Sequence, residues 1–346
     1  MTPRQEEILK IFRDSKEPIQ MQVVQERYPR LSRFTINRDL NALIKLKAIL
    51  RRGDTKGASY ELNISTKEGI RQELHKAPHL RAPVVFNEAF LSTYEPNKTT
   101  FIKSAFIKEL QAIGIRPKLG MEHKRWMESA LIDLSWASSR FEGSTLSWLE
   151  TKTLVEYGEG SVKSSDTMGI RHILNHKEAI NFILSHPLTI CDRDIKDLHS
   201  LLSKNLLSKK EYEGALRQAI VTISGSAYKP LNNPWKIKEA FEIFCQKAGA
   251  IKNPFEQAFF VMAVLPYIQP FHDANKRTSR IGMNIPLLNG GYFPFSFLHT
   301  DKLEYNEGVA AVYERNHTDI LLDCFMDGYQ KGSQRYREIC EEHRDE

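Results

Sequence analysis

From residue 101 to residue 330, apolar residues recur at helical spacing in almost every segment, which constrains the fold more than any other feature. The patterns cover 101–113, 122–137, 147–157, 165–185, 192–207, 234–250, 254–265, 276–288, 301–313 and 316–330. Segments of this kind must bury their stripes against one another, so the expected fold class is mainly α. Their ends carry recognisable stops: Ser147 with Glu150 reads as a capping box, and Gly158 as a terminator. Asn253, Pro254 and Glu256 supply an N-cap, an N1 proline and an N3 carboxylate. One stretch, GALRQAIVTISGSAYKP (214–230), breaks the series with a β-like VTI run and a turn at Gly225. No run of about 18 apolar residues is present, so no membrane span is expected. The N-terminus lacks the apolar stretch of a signal peptide, and Cys191, Cys245, Cys324 and Cys340 show no metal or CxxC spacing. A cytoplasmic chain with reduced thiols is the expectation.

The N-terminal segment reads differently. Ile8, Leu9, Ile11 and Phe12 share one helical face, and Met21, Val23, Val24 and Tyr28 suggest a second short helix. Ser32 or Thr35 caps a third, with Ile36, Leu40, Leu43, Ile44 and Leu46 inward. AILRRGDTKGASYEL then alternates like a hairpin, with Gly53-Asp54 and Lys56-Gly57 at its tip. Tyr28–Lys56 holds eight basic residues against two acidic ones, a footprint that suits phosphate contacts. Three helices followed by a β-wing is the winged helix-turn-helix order, and the segment resembles many bacterial regulators. That resemblance places Arg33, Thr35, Asn37 and Arg38 at the start of a recognition helix facing duplex DNA. Arg51, Arg52 and Lys56 would meet phosphates from the wing. The division expected is 1–63 winged helix, 64–100 linker or adaptor, and 101–335 helical domain. A palindromic DNA site would call for a homodimer.

The chemistry concentrates in YIQPFHDANKRTSRIG, a loop running straight into a helix N-terminus. Ala274, Asn275 and Lys276 would offer backbone N–H groups to an anion there, assisted by the helix dipole. Arg277 and Arg280, three apart on an exposed first turn, would grip two phosphates of one nucleotide. Asp273 is a hard oxygen ligand suited to Mg²⁺ that keeps its waters and bridges phosphates.

Residues 269–280, Gln-Pro-Phe-His-Asp-Ala-Asn-Lys-Arg-Thr-Ser-Arg, resemble the Fic (Fido) family motif His-Pro-Phe-x-Asp/Glu-Gly-Asn-Gly/Lys-Arg-x-x-Arg. Two further segments agree. Gly214–Pro230 is similar to the family's target-docking flap, and Ser138–Gly143 to its inhibitory Ser/Thr-x-x-x-Glu-Gly/Asn motif. Asn175-His176 and FLSTYEPN fit the same pattern, and the resemblance spans roughly 85–330. It implies an all-helical bundle with one β-hairpin flap, and transfer of AMP from ATP to a protein hydroxyl. Asp273 would hold Mg²⁺, Ala274, Asn275 and Lys276 would cradle phosphates, and Arg277 and Arg280 would bind the outer ones. Val221, Thr222, Ile223, Ser224 and Gly225 would dock the target as an added strand. Glu142, between Ser138 and Gly143 in the inhibitory motif, would occupy Arg280 and keep the enzyme off.

The departures matter as much. Gln269 stands where the family has its general-base histidine, and an amide does not titrate near neutral pH. His272 and Glu142 are the nearby substitutes, the latter through the water-positioning role of the family's inhibitory glutamate in AMP removal. Lys276 is shared with Doc-like relatives that phosphorylate, but Arg280 is retained, which favours adenylyl transfer. Ala274 replaces a glycine, a mild change if φ there is negative. The functional expectation is an autoinhibited adenylyltransferase weakened by Gln269. The alternatives are a nucleotide-sensing winged-helix regulator with an inactive domain, and a docking scaffold.

Overall fold

The computed structural model describes residues 1–15, 17–53, 57–117 and 121–341. The chain divides into two units: residues 1–84 with 223–229 and 313–317, and residues 85–222 with 230–312 and 318–346.

In the first unit, α1 (Pro3–Asp14) starts at a Thr2–Gln5 capping box and buries Ile8, Leu9, Ile11 and Phe12. After it come β1 (Ile19–Gln20), α2 (Met21–Arg27), α3 (Arg33–Lys45), β2 (Ile49–Arg52) and β3 (Ser59–Leu62). The sheet order is β1-β3-β2, with Ile19 opposite Tyr60 and Ile49 opposite Leu62. Ile36, Leu40, Leu43, Ile49, Tyr60 and Leu62 join the α1 face in one apolar core. Ser32 is the cap of α3, accepting from the Thr35 N–H, and Val23 of α2 points outward instead of joining the core. Asp39 is buried on α3 and accepts from Arg4 Nε at 2.6 Å, tying α3 to α1. Lys56 and Asp54 lie outside the described residues. The unit continues through α4 (Lys67–Leu74) to β4 (Val84–Val85), which pairs with β5 (Tyr228–Lys229).

The second unit is helical. It comprises α5 (Glu88–Ser92), α6 (Ser104–Gly114), α7 (Met121–Phe141), α8 (Trp148–Tyr157), α9 (Thr167–Ser185) and α10 (Asp192–Ser203). These are followed by α11 (Pro234–Ala250), α12 (Pro254–Ile268), α13 (Asn275–Gly282), α14 (Asn284–Asn289), α15 (Lys302–Arg315, whose last three residues belong to the first unit) and α16 (Asp319–Glu341). α12 is apolar on every side and every residue from Ala258 to Ile268 is buried, so it forms the central rod. α11, α13 and α14 pack on it, while α7 lies along α9 and α16. The expected capping box at Ser147–Glu150 and the glycine stop at Gly158 are both present. Asn253 caps α12, but Glu256 does not reach back to it. Its buried carboxylate accepts from the Phe101 and Ile102 amides and the Tyr94 hydroxyl, fastening residues 94–102 to α12. Burial pushes the Glu256 pKa up, against those hydrogen bonds.

Two sequence expectations change. The helix expected over 276–288 is two, α13 and α14, because Pro286 of α14 has no N–H to give a helix continuing from α13. Residues 221–223 form no helix or strand and are followed by a turn in which Ser226 N–H bonds Ile223 O. The β pairing of this stretch falls instead on Tyr228–Lys229. No described helix is long and apolar enough to cross a membrane. Cys245, Cys324 and Cys340 are buried and Cys191 is partly so.

Candidate functional site

α12 ends at Gln269, whose backbone is left-handed at φ 51°, and the chain turns through 270–274 into α13. Three groups hold the turn. The Asn275 side chain accepts from the Phe271 N–H at 3.0 Å and donates to Phe271 O and Gln269 Oε1, both at 3.0 Å. Arg217, fully buried, donates from Nε to Gln269 O at 2.6 Å and from its two terminal nitrogens to Ala219 O and Leu231 O. His199 of α10 stacks on Phe271 with centroids 3.8 Å apart. Its Nδ1 accepts from the Gly214 amide at 2.9 Å, so the ring proton sits on Nε2, which donates to Asp273 O at 3.1 Å. Burial lowers the His199 pKa to about 4 and keeps the ring neutral. Gly214 is required there: its φ is +80°, and a Cβ would lie 3.0 Å from Lys196 O.

The amides of Asn275, Lys276 and Arg277 open α13 and have no intrahelical carbonyl to bond. Ala274 differs from expectation twice. Its N–H is already bonded to Asp273 Oδ1 at 2.6 Å, and its φ of 58° is left-handed. Alanine in that conformation costs about 1 kcal/mol, which explains why glycine is the commoner residue in the motif it resembles. The two arginines differ as well. Instead of lying on an exposed face, Arg277 and Arg280 are 2% and 0% exposed. Arg277 donates to Asp273 Oδ2 at 3.1 Å and to Leu202 O at 3.3 Å. Asp273 itself remains open to solvent.

Arg280 is fully buried and held from several sides. Nε donates to Ser138 Oγ at 3.0 Å, and Nη2 donates to Ser138 O at 3.3 Å and to Glu142 Oε1 at 2.5 Å. The guanidinium lies over the Phe141 ring at 5.4 Å and the Tyr305 ring at 5.9 Å. Ser138 is oriented from behind by His176, whose Nδ1–H donates to His172 O at 2.5 Å and whose Nε2 accepts the serine hydroxyl at 2.7 Å. Burial holds His176 neutral, with its pKa pulled to about 3. Burial opposes the charged form of Glu142, yet Arg280, Arg277 and Lys276 outweigh it and bring its pKa down to about 2. Gly143 follows at φ +99°, a left-handed conformation at which the chain turns away after α7. Burial lowers the pKa of Lys276, the third cation near Glu142. The result is a buried cationic cluster whose strongest anion partner belongs to the protein.

The Gln269 amide is fully engaged. Nε2 donates to Pro266 O at 2.7 Å, and Oε1 accepts from Asn275. The His272 ring stacks on Tyr212 with centroids 3.9 Å apart, and burial lowers its pKa. Arg33, Asn37 and Arg38 lie exposed along the first turns of α3 with Phe34, which is 78% exposed. Thr35 is half-buried and bonds Ser32. On the ribbon, Arg51 and Arg52 are exposed, and Arg52 pairs with Glu61. Sequence reasoning missed Arg217, His199 and Tyr305. His199 had a legible signal, since it shares the inward face of α10 with Ile195, Leu198 and Leu202. Arg217 had none, because an isolated arginine in an irregular stretch is ordinarily solvated.

Residues 188–287, which hold α10, the flap stretch, the loop and α13, match the model of the Fic/DOC family. The protein adenylyltransferase Fic of Nematostella vectensis is 24% identical over 249 residues, covering 66% of this chain and 57% of that protein. Its counterpart in Aedes aegypti is 23% identical over 213 residues, covering 59% and 42%. The chain thus spans about half the length of these curated relatives. A Fic family protein of Desulfovibrio desulfuricans superposes with a TM-score of 0.58 at 17% identity, over 71% of this chain and 77% of that one. A Fic domain containing signaling protein of Bacteroides thetaiotaomicron gives 0.55 at 16% identity, over 70% and 100%. These structures share the fold. The helical unit with its buried arginine cluster thus has the fold of Fic proteins, and its residues 188–287 are similar to the Fic/DOC family.

Proposed function

We propose that this Fic domain binds ATP and transfers its AMP to a hydroxyl of a target protein, slowly and under restraint by Glu142. The observation that carries the reading is the Glu142 carboxylate seated on buried Arg280: a cation cluster held by an internal anion is what an outer phosphate would displace. Arg277 and the first-turn amides of α13 would receive the remaining phosphates. In the transfer, the target oxygen forms a bond to the α-phosphorus, the bond to the pyrophosphate oxygen breaks, and pyrophosphate leaves. The hydroxyl proton has no titrating acceptor at position 269, so it passes to solvent or to the departing phosphate. Mg²⁺ would supply charge neutralisation on the phosphates. One exposed carboxylate, Asp273, fits an ion held chiefly by water and phosphate oxygens, and no cluster of three or more metal-binding side chains occurs among the described residues. Residues 221–227 would present the target. Calorimetry with ATP and Mg²⁺ tests the nucleotide site. Arg277→Ala is expected to weaken binding at least tenfold with unchanged helical circular dichroism, and unchanged binding would remove the assignment.

For the first unit we propose a winged helix that contacts duplex DNA through the start of α3 and the β2–β3 ribbon. Exposed Arg33, Phe34, Asn37 and Arg38 support this reading, and a palindromic site would bring a homodimer with it. Affinity for duplex DNA is expected to fall at least tenfold between 50 and 200 mM salt and to weaken further in Arg33→Ala/Arg38→Ala. Salt-independent or absent binding would point to a protein-docking role. The saturated Gln269 amide favours a second reading of the whole chain, a nucleotide-sensing regulator whose Fic domain no longer transfers.

A further inference from the structure

We infer that Arg81 and Glu314 are positioning residues for the target flap, so that the segment following α4 sets the flap's conformation. Arg81 lies just before β4, and Glu314 lies at the end of α15. Both side chains are buried, 3% and 0% exposed, and their ion pair is 2.9 Å long. Each also takes hold of the turn at 223–227. Arg81 Nη2 donates to Gly225 O at 2.6 Å. Glu314 Oε1 accepts from the Ser226 hydroxyl at 2.7 Å and from the Ala227 amide at 3.0 Å. One buried carboxylate oxygen therefore gathers a guanidinium, a hydroxyl and a backbone amide.

The neighbouring contacts extend the same arrangement. The Val84 amide donates to Ala227 O at 3.1 Å, just before β5. Tyr228 of β5 stacks on Tyr313 with centroids 5.4 Å apart. Arg315, the residue after Glu314, reaches Glu73 of α4 at 3.4 Å. The turn at 223–227 has no strand partner of its own, so its shape depends on these side chains. Gly225 adopts φ +77°, and a flexible glycine turn without such anchors would sample many conformations. Residues 223–229 and 313–317 accordingly cluster with residues 1–84 and not with the helical unit. A flap held in one shape has paid its ordering entropy before a target strand arrives.

The anchoring stands on this geometry; its consequence for AMP transfer rests on the proposed adenylyltransferase reading. The test is hydrogen–deuterium exchange on the full-length chain, comparing the parent with Arg81→Met, Arg81→Lys and Glu314→Gln. Peptides spanning 223–229 are expected to exchange at least tenfold faster in Arg81→Met and Glu314→Gln, and less so in Arg81→Lys, which keeps the charge. Peptides of α13 and the affinity for ATP are expected to stay as in the parent. Equal exchange at 223–229 in all four proteins would overturn the inference. So would acceleration spread evenly over the whole chain, which marks a general stabilising pair. In the Glu142→Gly background, Arg81→Met is expected to lower AMP transfer while the ATP Kd holds. If Glu142→Gly itself transfers nothing, the adenylyltransferase reading fails while the exchange result still decides the anchoring.

Discussion

Glu142→Gly is expected to bind ATP ten- to a hundredfold more tightly than the parent protein. Arg280 is fully buried and its Nη2 is already bonded to the Glu142 carboxylate, so an incoming phosphate must first expel that anion. A competing interaction worth about 1.4–2.8 kcal/mol is a factor of ten to a hundred in Kd. Stability moves the other way. The Glu142 pKa falls from 4.5 to about 2 because Arg280, Arg277 and Lys276 outweigh the cost of burial. A carboxylate depressed in the fold contributes stability that is fully present above its ordinary pKa and is lost as pH falls through the folded value. The pair therefore contributes up to about 3 kcal/mol at neutral pH, with the loss falling between pH 4.5 and 2. Urea unfolding of Glu142→Gln is expected to show lower stability than the parent at pH 7, with the gap narrowing below pH 4. Mild acidification to pH 5 is not expected to release the ATP site. Equal ATP affinity in Glu142→Gly and the parent would show that Arg280 does not meet the nucleotide.

Gln269→His, placed in the Glu142→Gly background, is expected to raise AMP transfer by about 10²–10⁴-fold, the usual worth of a positioned general base. Both ends of the Gln269 amide are occupied, Nε2 by Pro266 O and Oε1 by Asn275. Neither takes a proton near neutral pH. The backbone favours the substitution, since φ at 269 is 51° and histidine is among the residues that tolerate the left-handed region best. Pro266 O is placed to accept from a histidine Nδ1–H, which would leave Nε2 as the base. The gain is expected to appear with a pH–rate rise centred near 6.5, absent from the glutamine form. Gln269→Ala is expected to change the rate less than tenfold. A flat response to the histidine would show that proton removal is not what limits this site.

The helical unit was readable because its signals are local. The Ser147–Glu150 box, the Gly158 stop and the Asn253 cap need only neighbours in sequence, and α12 announces its central place by being apolar all round. The break between α13 and α14 was missed because helical apolar spacing continues across Met283 and conceals Pro286. At the site, Arg277 and Arg280 were expected on an exposed first turn and are buried instead. Their burial is created by α7, α9 and α10, which lie 70 or more residues earlier. The same non-locality hid His199 and Arg217, whose partners are the backbone atoms of Asp273, Gly214, Gln269 and Leu231. Backbone conformation is equally silent in sequence: nothing in the letters marks Ala274 as left-handed or its N–H as taken by Asp273.

The proposed function requires a phosphate cradle behind Glu142 whose chemistry is slowed by Gln269. Labelling with α-³²P-ATP and Mg²⁺ tests it most directly, using the parent, Glu142→Gly, and Glu142→Gly/Gln269→His. Little label is expected on the parent, faint label on Glu142→Gly that disappears with Arg277→Ala, and strong label on the double variant. No label on a double variant that still binds ATP would contradict it, and would leave a domain that reads nucleotide without transferring AMP.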